Sequence, residues 1–425
     1  MVDKNLFPYD LAVVAIFKDE APYLREWLDY HLLAGAEHFY LYNNDGSDNF
    51  AQVLAPYVAA NLVTLIDFPG KAMQMPAYDD ALEKFRFTCR YMAFIDIDEF
   101  IFPKTNQSIA QVADEILSRD ENAQALAINW RCFGSNGLTA ADYSRGVLER
   151  FTQRAPDKWK DSLTFADASF EVGNMHVKLV ANPRSVKTFL GPHIAVHFGG
   201  NYSVDEHGEK ISAYGTDEMT ADKIAVNHYV IKSREEFFNK RRRGFACDNF
   251  NPYDNENYFS TYDRNEIFDD GILSYRAARD ENFSLETDAD RIRRVEKTLL
   301  DTLTQCSPLE TPPEFFAGKL ETFLTCRALA EGLDVKIGTC SAEELALTWI
   351  YQCFEKKVTF TYAELFLFMS ALPEILARPF PICKELNRIA REKIFHLIYA
   401  NLKSAQAWDI FYDFRYIERL LLLVK

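Results

Sequence analysis

Tyr91-Met-Ala-Phe-Ile-Asp-Ile-Asp-Glu-Phe-Ile-Phe-Pro103 sets three carboxylates, Asp96, Asp98 and Glu99, inside an otherwise apolar run. The residues ahead of Asp96 have strand length and no charge, as expected of a strand buried on both faces of a parallel sheet. Side chains alternate along a strand, so this spacing turns Asp96 and Asp98 to one side. They also stand at a strand's C-terminal end, the edge where open α/β sheets bind ligands. Two carboxylates this close, flanked by apolar residues, need compensating positive charge. A divalent cation supplies it, and carboxylate oxygens suit Mg²⁺ or Mn²⁺. An acidic turn closing a strand has the same appearance, and Asp-x-Asp alone is a weak motif.

Upstream, Leu11-Ala-Val-Val-Ala-Ile-Phe17 is a continuous apolar run that reads as a first strand. A helix is predicted from about Pro22, with Leu24, Trp27, Leu28, His31 and Leu32 on one stripe. His38–Tyr42 reads as a second strand, closed by the turn-forming Asn43-Asn-Asp-Gly-Ser-Asp-Asn49. A helix over 49–60, a third strand over Leu62–Phe68 and a helix over 76–90 lead to the Tyr91–Asp96 strand. This alternation predicts right-handed crossovers and a doubly wound α/β domain. Lys18-Asp19-Glu20 and Asn44-Asp45-Gly46 then fall on the same sheet edge as Asp96. There they suit the base and ribose of a nucleotide, or equally helix capping and turn formation.

Downstream, Gln124–Trp130, His176–Val180, Ile194–Phe198 and Ala225–Ile231 are shorter strand candidates. Beyond about residue 283 the pattern turns helical, with segments near 287–305, 314–330, 341–356, 361–371, 384–403 and 405–424. Two domains are expected, 1–282 and an all-α 283–425. No Gly-rich dinucleotide or P-loop fingerprint is present.

Lys and Arg total 47 against 63 Asp and Glu, a net charge of −16, which disfavours nucleic-acid binding. Eight cysteines carry no Cys-x-x-Cys spacing. With no signal-peptide pattern at the N-terminus, they point to a reducing cytoplasm. No apolar run reaches the ~18–20 residues that span a bilayer. The short apolar Tyr416–Val424 suits a core or interface helix better than peripheral docking at the inner face of a membrane.

Several segments together resemble a known group. Phe17-Lys-Asp-Glu-Ala-Pro-Tyr-Leu-Arg-Glu-Trp27, Gln74-Met-Pro-Ala-Tyr-Asp-Asp80 and Phe94-Ile-Asp-Ile-Asp-Glu-Phe100 are similar to glycosyltransferase family 92 and neighbouring bacterial family-2-like transferases. Trp130-Arg-Cys-Phe-Gly-Ser-Asn-Gly137, Val147-Leu-Glu-Arg-Phe151 and Asn227-His-Tyr-Val-Ile-Lys-Ser-Arg-Glu-Glu-Phe237 continue the likeness in order, over roughly residues 9 to 270. The resemblance implies a GT-A fold and inverting, metal-dependent transfer of a hexose from a nucleotide sugar such as UDP-galactose. The acceptor would be a glycan, free or lipid-linked, in surface polysaccharide synthesis. Carried over residue by residue, Asp96 contacts ribose and metal, Asp98 binds Mn²⁺ or Mg²⁺, and His228 completes the metal site. His176, His193 and His197 are weaker alternatives. Asp19, Glu20, Asn44, Asp45 and Tyr78 join the donor-binding set.

Ser233-Arg-Glu-Glu236 is a capping box, so Lys240 to Arg243 ride the helix it starts. Lys240 and Arg243 are candidates to neutralise the departing diphosphate, against the alternative of a solvated helix face. Inversion needs a carboxylate base for the acceptor hydroxyl. Asp248 is the candidate, with Glu149, Glu171 and Asp254 as alternatives. Trp130, Phe133 and Gly134 form a candidate acceptor wall, since aromatic faces stack on sugar rings and glycine admits close approach. Trp130 fits a core position equally well. The helical C-terminal part leaves dimerisation, membrane docking and shaping of the acceptor cleft open. Three other classes compete: a sugar-1-phosphate nucleotidylyltransferase, a glycoside hydrolase, whose two carboxylates would flank a bond ~5–9.5 Å apart rather than sit adjacent in Asp-x-Asp, and a non-catalytic nucleotide-sugar-binding or scaffold protein. A nucleotidylyltransferase normally carries a Gly-rich basic loop where this chain has Lys18-Asp-Glu-Ala-Pro22.

Overall fold

The computed structural model describes residues 7–294, apart from 87, 166, 167, 212, 217, 248–250, 282, 288, 289 and 292. Tyr9–Leu285 forms one compact unit, and 286–294 belong to a second. The helices predicted beyond 294, and the expected all-α domain they would form, lie outside the described residues.

The compact unit opens as β1 (Tyr9–Phe17), α1 (Ala21–Leu33), β2 (His38–Asn43), α2 (Phe50–Ala59), β3 (Val63–Asp67), α3 (Gln74–Phe85), β4 (Cys89–Phe94), β5 (Glu99–Pro103), α4 (Ile109–Leu117) and β6 (Ala123–Cys132). It continues through α5 (Val147–Arg150), β7 (Gln153–Arg154), β8 (Lys160–Phe165), β9 (Ala168–Gly173), β10 (Val177–Ala181), β11 (Val186–Gly191), β12 (Ile194–His197), β13 (Tyr202–Val204), β14 (Lys210–Ile211) and β15 (Ile224–His228). Helix α6 (Arg234–Arg243), α7 (Tyr258–Tyr262), β16 (Ile267–Phe268) and α8 (Gly271–Asp280) complete it. The main sheet runs β14-β13-β6-β10-β4-β1-β2-β3. Strands β4, β1, β2 and β3 are mutually parallel, and β10 runs antiparallel between β4 and β6. Strand β15 pairs parallel with β6 and antiparallel with β5. The fold is therefore α/β with a mostly parallel central sheet, as the alternation predicted.

Central strands of such a sheet are covered on both faces and so read as unbroken apolar runs. In β1 every residue but Asp10 is buried. The α1 stripe also holds: Leu24, Trp27, Leu28 and His31 are fully buried. This stripe does more than fill space. Trp27 Nε1 donates to Glu99 O (2.9 Å), and Tyr30 Oη donates to Ile101 O (2.8 Å). His31 Nδ1 faces Trp27 O at 2.8 Å, while Ile101 N donates to His31 Nε2 at 3.3 Å. Helix spacing of i, i+3 and i+4 thus lets one face grip the backbone of β5.

Those two backbone contacts fix His31 as the neutral tautomer with hydrogen on Nδ1, and burial lowers its pKa to about 3. Because the folded-state pKa lies below the unfolded value, this group's contribution is complete above pH 6.5 and is lost as pH falls towards 3. Acid titration monitored by circular dichroism should show it. Replacing His31 with Gln should remove about 1.4 kcal/mol per pH unit from the slope across that window. An unchanged slope would mean that His31 is charged in the folded protein.

Strand β5 makes one correction to the sequence reading. The predicted fourth strand ends early, at Phe94, and Ile95–Asp98 form a tight turn into β5, closed by Glu99 N donating to Asp96 O (3.1 Å). Asp96 and Asp98 are turn residues, so strand alternation does not set their directions. The same turn lies at the carboxyl ends of β1, β2 and β4, where Asn44 N bonds Phe17 O (2.8 Å) and Asn43 Nδ2 bonds Asp67 Oδ1 (2.9 Å). Among the described residues no helix is long and apolar enough to cross a membrane.

Candidate active site

Each aspartate of the turn has its own cation. Asp96 Oδ2 pairs with Lys178 Nζ (2.8 Å), a fully buried lysine of β10, and Oδ1 accepts from Gln74 Nε2 (2.6 Å) at the start of α3. Asp98 Oδ2 is bound by Lys240 Nζ of α6, which also donates to Val230 O (3.0 Å). Burial alone would raise the Asp98 pKa, but Lys240 and then His228 hold it well below the usual carboxylate range. Glu99, fully buried behind the turn, is raised to about 8 by burial, against the pull of Lys178. It caps the turn by accepting from Asp96 N (2.8 Å).

Helix α6 brings its cations here because its first turn is clamped. The capping box forms as predicted: Glu236 N donates to Ser233 Oγ (3.3 Å) and Ser233 N to Glu236 Oε2 (3.1 Å). Glu236 also takes a bidentate pair from Arg150 of α5 (2.8 and 2.9 Å) and a hydrogen bond from Tyr23 Oη of α1 (3.1 Å). With both partners almost wholly buried, this clamp is well satisfied and geometrically specific. One turn later Lys240 faces Asp98. Arg243 reaches across to Glu20 Oε1 and Asp19 O.

These residues border a single cleft lined by Lys18, Glu20, Asn44, Gln74, Asp96, Asp98, Trp130, His193, His228, Lys240 and Arg243, with aromatic cover from Phe17, Phe245, Tyr253 and Tyr258. Three of its atoms are buried without a hydrogen-bond partner: Glu20 Oε2, Trp130 Nε1 and His228 Nδ1. Unsatisfied buried polar atoms are rare, and three on one cleft mark a place where a ligand supplies the missing partners. His228 packs against Trp130 (4.1 Å between ring centroids), and burial lowers its pKa despite the nearby Asp98.

Asp98 Oδ1 and His228 Nε2 lie 3.6 Å apart, too far for a hydrogen bond. One small ion bound at about 2.1 Å to each would span this gap. A neutral imidazole and an ionised carboxylate are suitable donors, so the pair fits a divalent metal. Asp96 is directed instead at Lys178 and Gln74. Among the described residues, Asp96, Asp98 and His228 do not gather into one three-ligand cluster. The cluster that does gather, Glu206, His207 and Asp222, has another explanation. Glu206 there accepts from the backbone N–H groups of Asp222, Lys223 and Ile224 (2.7 to 3.1 Å).

The other sequence candidates divide between wall and core. Glu20, Asn44, Trp130, Lys240 and Arg243 line the cleft. Asp19 and Asp45 do not. Asp19 Oδ1 accepts from Ser47 N, Ser47 Oγ and Asp48 N (2.6, 3.1 and 3.2 Å), and Asp45 Oδ2 accepts from Gly70 N (3.1 Å). Both carboxylates thus organise loops, with the backbone at φ 49° and 55°. Tyr78 and Phe133 are fully buried, Tyr78 against Phe94 and Phe189 and Phe133 against Tyr229. Gly134 is also packed: a Cβ there would sit 2.4 Å from Arg264 O. These three belong to the core, because their motif neighbours, not they, face the opening. Asp248 lies outside the described residues.

Sequence reasoning missed Lys178, Gln74 and Lys232. Lys232 is 4% exposed, holds a non-glycine backbone at φ 56° and places its ammonium 4.5 Å from the Tyr23 ring centroid. Burial lowers its pKa, against the opposing fields of Asp98 and Glu20. The only signal for it was its place just ahead of the Ser233 cap. Strained, buried charge of this kind gathers at functional sites.

Fold and cleft together define an α/β protein with a charged cleft at the carboxyl edge of its sheet. The family model for glycosyltransferase family 92 matches residues 13–261, more than half of the chain. The chain belongs to this family. It is 31% identical over 189 residues to a galactan beta-1,4-galactosyltransferase of Arabidopsis thaliana, covering 42% of this chain and 34% of that one. It is 23% identical over 148 residues to a glycosyltransferase family 92 protein of Ricinus communis, covering 35% and 27%. The match thus spans about a third or less of these relatives' length. Among solved structures it matches S. aureus TarS in complex with UDP, at 12% identity and a TM-score of 0.30, over 83% of this chain and 93% of that one.

Proposed function

We propose that this enzyme transfers a hexose, galactose foremost, from a uridine diphosphate sugar to a glycan acceptor with inversion at the anomeric carbon. The observation that carries this reading is the set of partnerless buried atoms, Glu20 Oε2, Trp130 Nε1 and His228 Nδ1, on a cleft that Lys240 and Arg243 also line. A nucleotide sugar offers what that set lacks: hydroxyl donors, oxygen acceptors and a diphosphate for the cations. The galactan galactosyltransferases among its relatives support galactose as the sugar.

Asp96, oriented by Gln74 and Lys178, and Glu20, oriented by Arg243, accept hydrogen bonds from donor hydroxyls. Lys240 neutralises charge that grows on the diphosphate as the glycosidic bond breaks, a stabilisation exerted mainly in the transition state, while Arg243 holds Glu20 in place and helps to bind the donor. Asp98 and His228 would hold Mn²⁺ or Mg²⁺, which supplies Lewis-acid stabilisation of the leaving group. Asp248 is proposed as the base that takes the acceptor hydroxyl proton.

A panel of UDP-, GDP- and CMP-sugars tests this, read as thermal stabilisation with and without Mn²⁺ and as slow hydrolysis of the donor. UDP-galactose should give the largest shift, deepened by Mn²⁺. If no nucleotide sugar binds under either condition, the reading fails.

A further inference from the structure

From the cleft wall a file of rings leads outward. Trp130 lines the cleft and stacks on His176 (4.9 Å between centroids, planes 28° apart). His176 in turn lies against Tyr214 (5.4 Å, 33°), which is 42% exposed at the surface. His193, also on the cleft, meets Trp130 and His176 at 5.1 and 5.0 Å. Tyr214 Oη donates to Glu171 Oε2 (3.0 Å), an exposed carboxylate of β9.

This file is built in. Gly215 packs so tightly on Met175 O that a Cβ would sit 2.5 Å from it. Thr216 N donates to Met175 O (3.0 Å), and Thr216 Oγ1 is held by buried Asn129 (2.8 Å). Tyr214 is therefore presented on a pinned backbone. His176 and His193 each direct Nδ1 to a backbone carbonyl, Gly173 O (3.2 Å) and Val177 O (2.7 Å). Each Nε2 is thereby left as an acceptor, and burial keeps both rings neutral.

We propose that Trp130, His193, His176, Tyr214 and Glu171 form the acceptor subsite, a track for neutral hexose units of the glycan that receives the sugar. The chemistry matches residue by residue. The exposed ring of Tyr214 stacks on the C–H face of a hexose, and imidazole Nε2 and carboxylate oxygens accept its hydroxyl protons. No cation belongs to the file, so an anionic acceptor finds no partner on it. Trp130 stands at the junction, on the donor cleft and at the head of the track. The assignment rests on the glycosyl-transfer reading and replaces Phe133 and Gly134, which are core.

The experiment compares the wild type with Tyr214→Ala, Tyr214→Phe and Glu171→Gln. Saturation-transfer NMR would follow binding of β-1,4-linked galacto-, gluco- and manno-oligosaccharides of four units. Calorimetry with UDP and acceptor-free hydrolysis of UDP-galactose serve as donor-side readouts. At least one oligosaccharide should bind the wild type. Tyr214→Ala should weaken it about tenfold, the scale of one lost stacking contact. Tyr214→Phe should keep most of the binding, and Glu171→Gln should lose part of it. UDP affinity should stay unchanged in all three, and donor hydrolysis in the two Tyr214 variants. Failure of every oligosaccharide to bind the wild type, or equal binding by Tyr214→Ala, overturns the track while donor hydrolysis persists. Loss of UDP binding and hydrolysis from the wild type itself would instead overturn the glycosyl-transfer reading.

Discussion

Asp98→Asn is expected to lower kcat/KM by about a thousandfold, the upper range for removing one preorganised electrostatic group. The substitution keeps the shape of the turn and removes one negative charge. That charge has two jobs: in the proposed metal site it pairs with His228 Nε2 3.6 Å away, and it neutralises Lys240 inside the protein. Breaking a buried pair from one side costs about 3–5 kcal/mol, because the other charge is left without compensation. The single variant should therefore lose both activity and stability, and the two losses must be separated. The double variant Asp98→Asn with Lys240→Met does so. With neither charge left to compensate, its melting temperature should return close to the wild-type value, while its turnover stays lost. Recovery of turnover in the double variant would remove Asp98 from the chemistry and leave it a purely structural partner of Lys240.

Lys240→Met alone is the second large effect, a fall in kcat of about a hundredfold or more. In the proposed reaction Lys240 faces the charge that develops on the departing diphosphate, so its loss should act on kcat more than on donor KM. Arg243 gives the contrast. Its guanidinium is committed to Glu20 and Asp19 O, so Arg243→Gln should weaken donor binding and appear mainly in KM. Steady-state kinetics with a saturating acceptor separates the two patterns. If Lys240→Met moved KM alone, the lysine would be a ground-state anchor.

Helix and strand order was legible from the first residues because periodicity is a local property. The buried run of β1, the α1 stripe and the Ser233 capping box all depend on neighbours within a few positions. Cleft-lining residues were legible where a local pattern carried them, as for Asp96, Asp98 and His228 in their motifs and Lys240 and Arg243 on the capped helix. What surrounds those groups comes from far along the chain. Lys178 meets Asp96 from 82 residues away, and Lys240 meets Asp98 from 142 away, through a sheet order that no local pattern specifies. The misread positions have two causes. Tyr78, Phe133 and Gly134 were drawn in by adjacent motif residues, and neighbours along a chain often face opposite ways. Asp19 and Asp45 were read as ligand contacts, but backbone N–H groups of a tight loop bind their carboxylates first.

The grip of α1 on β5 carries a further consequence for how freely this sequence can drift. Trp27, Tyr30 and His31 hold the strand by the carbonyl of Glu99, the carbonyl of Ile101 and the amide of Ile101. Those are atoms that nearly every amino acid brings to a position. Substitutions in β5 after Glu99, whose side chain itself caps the turn, can therefore accumulate without releasing these anchors, whereas a change at any of the three α1 rings strips an anchor that no β5 residue can replace. Variation in relatives should concentrate on the held strand and spare the helix that holds it.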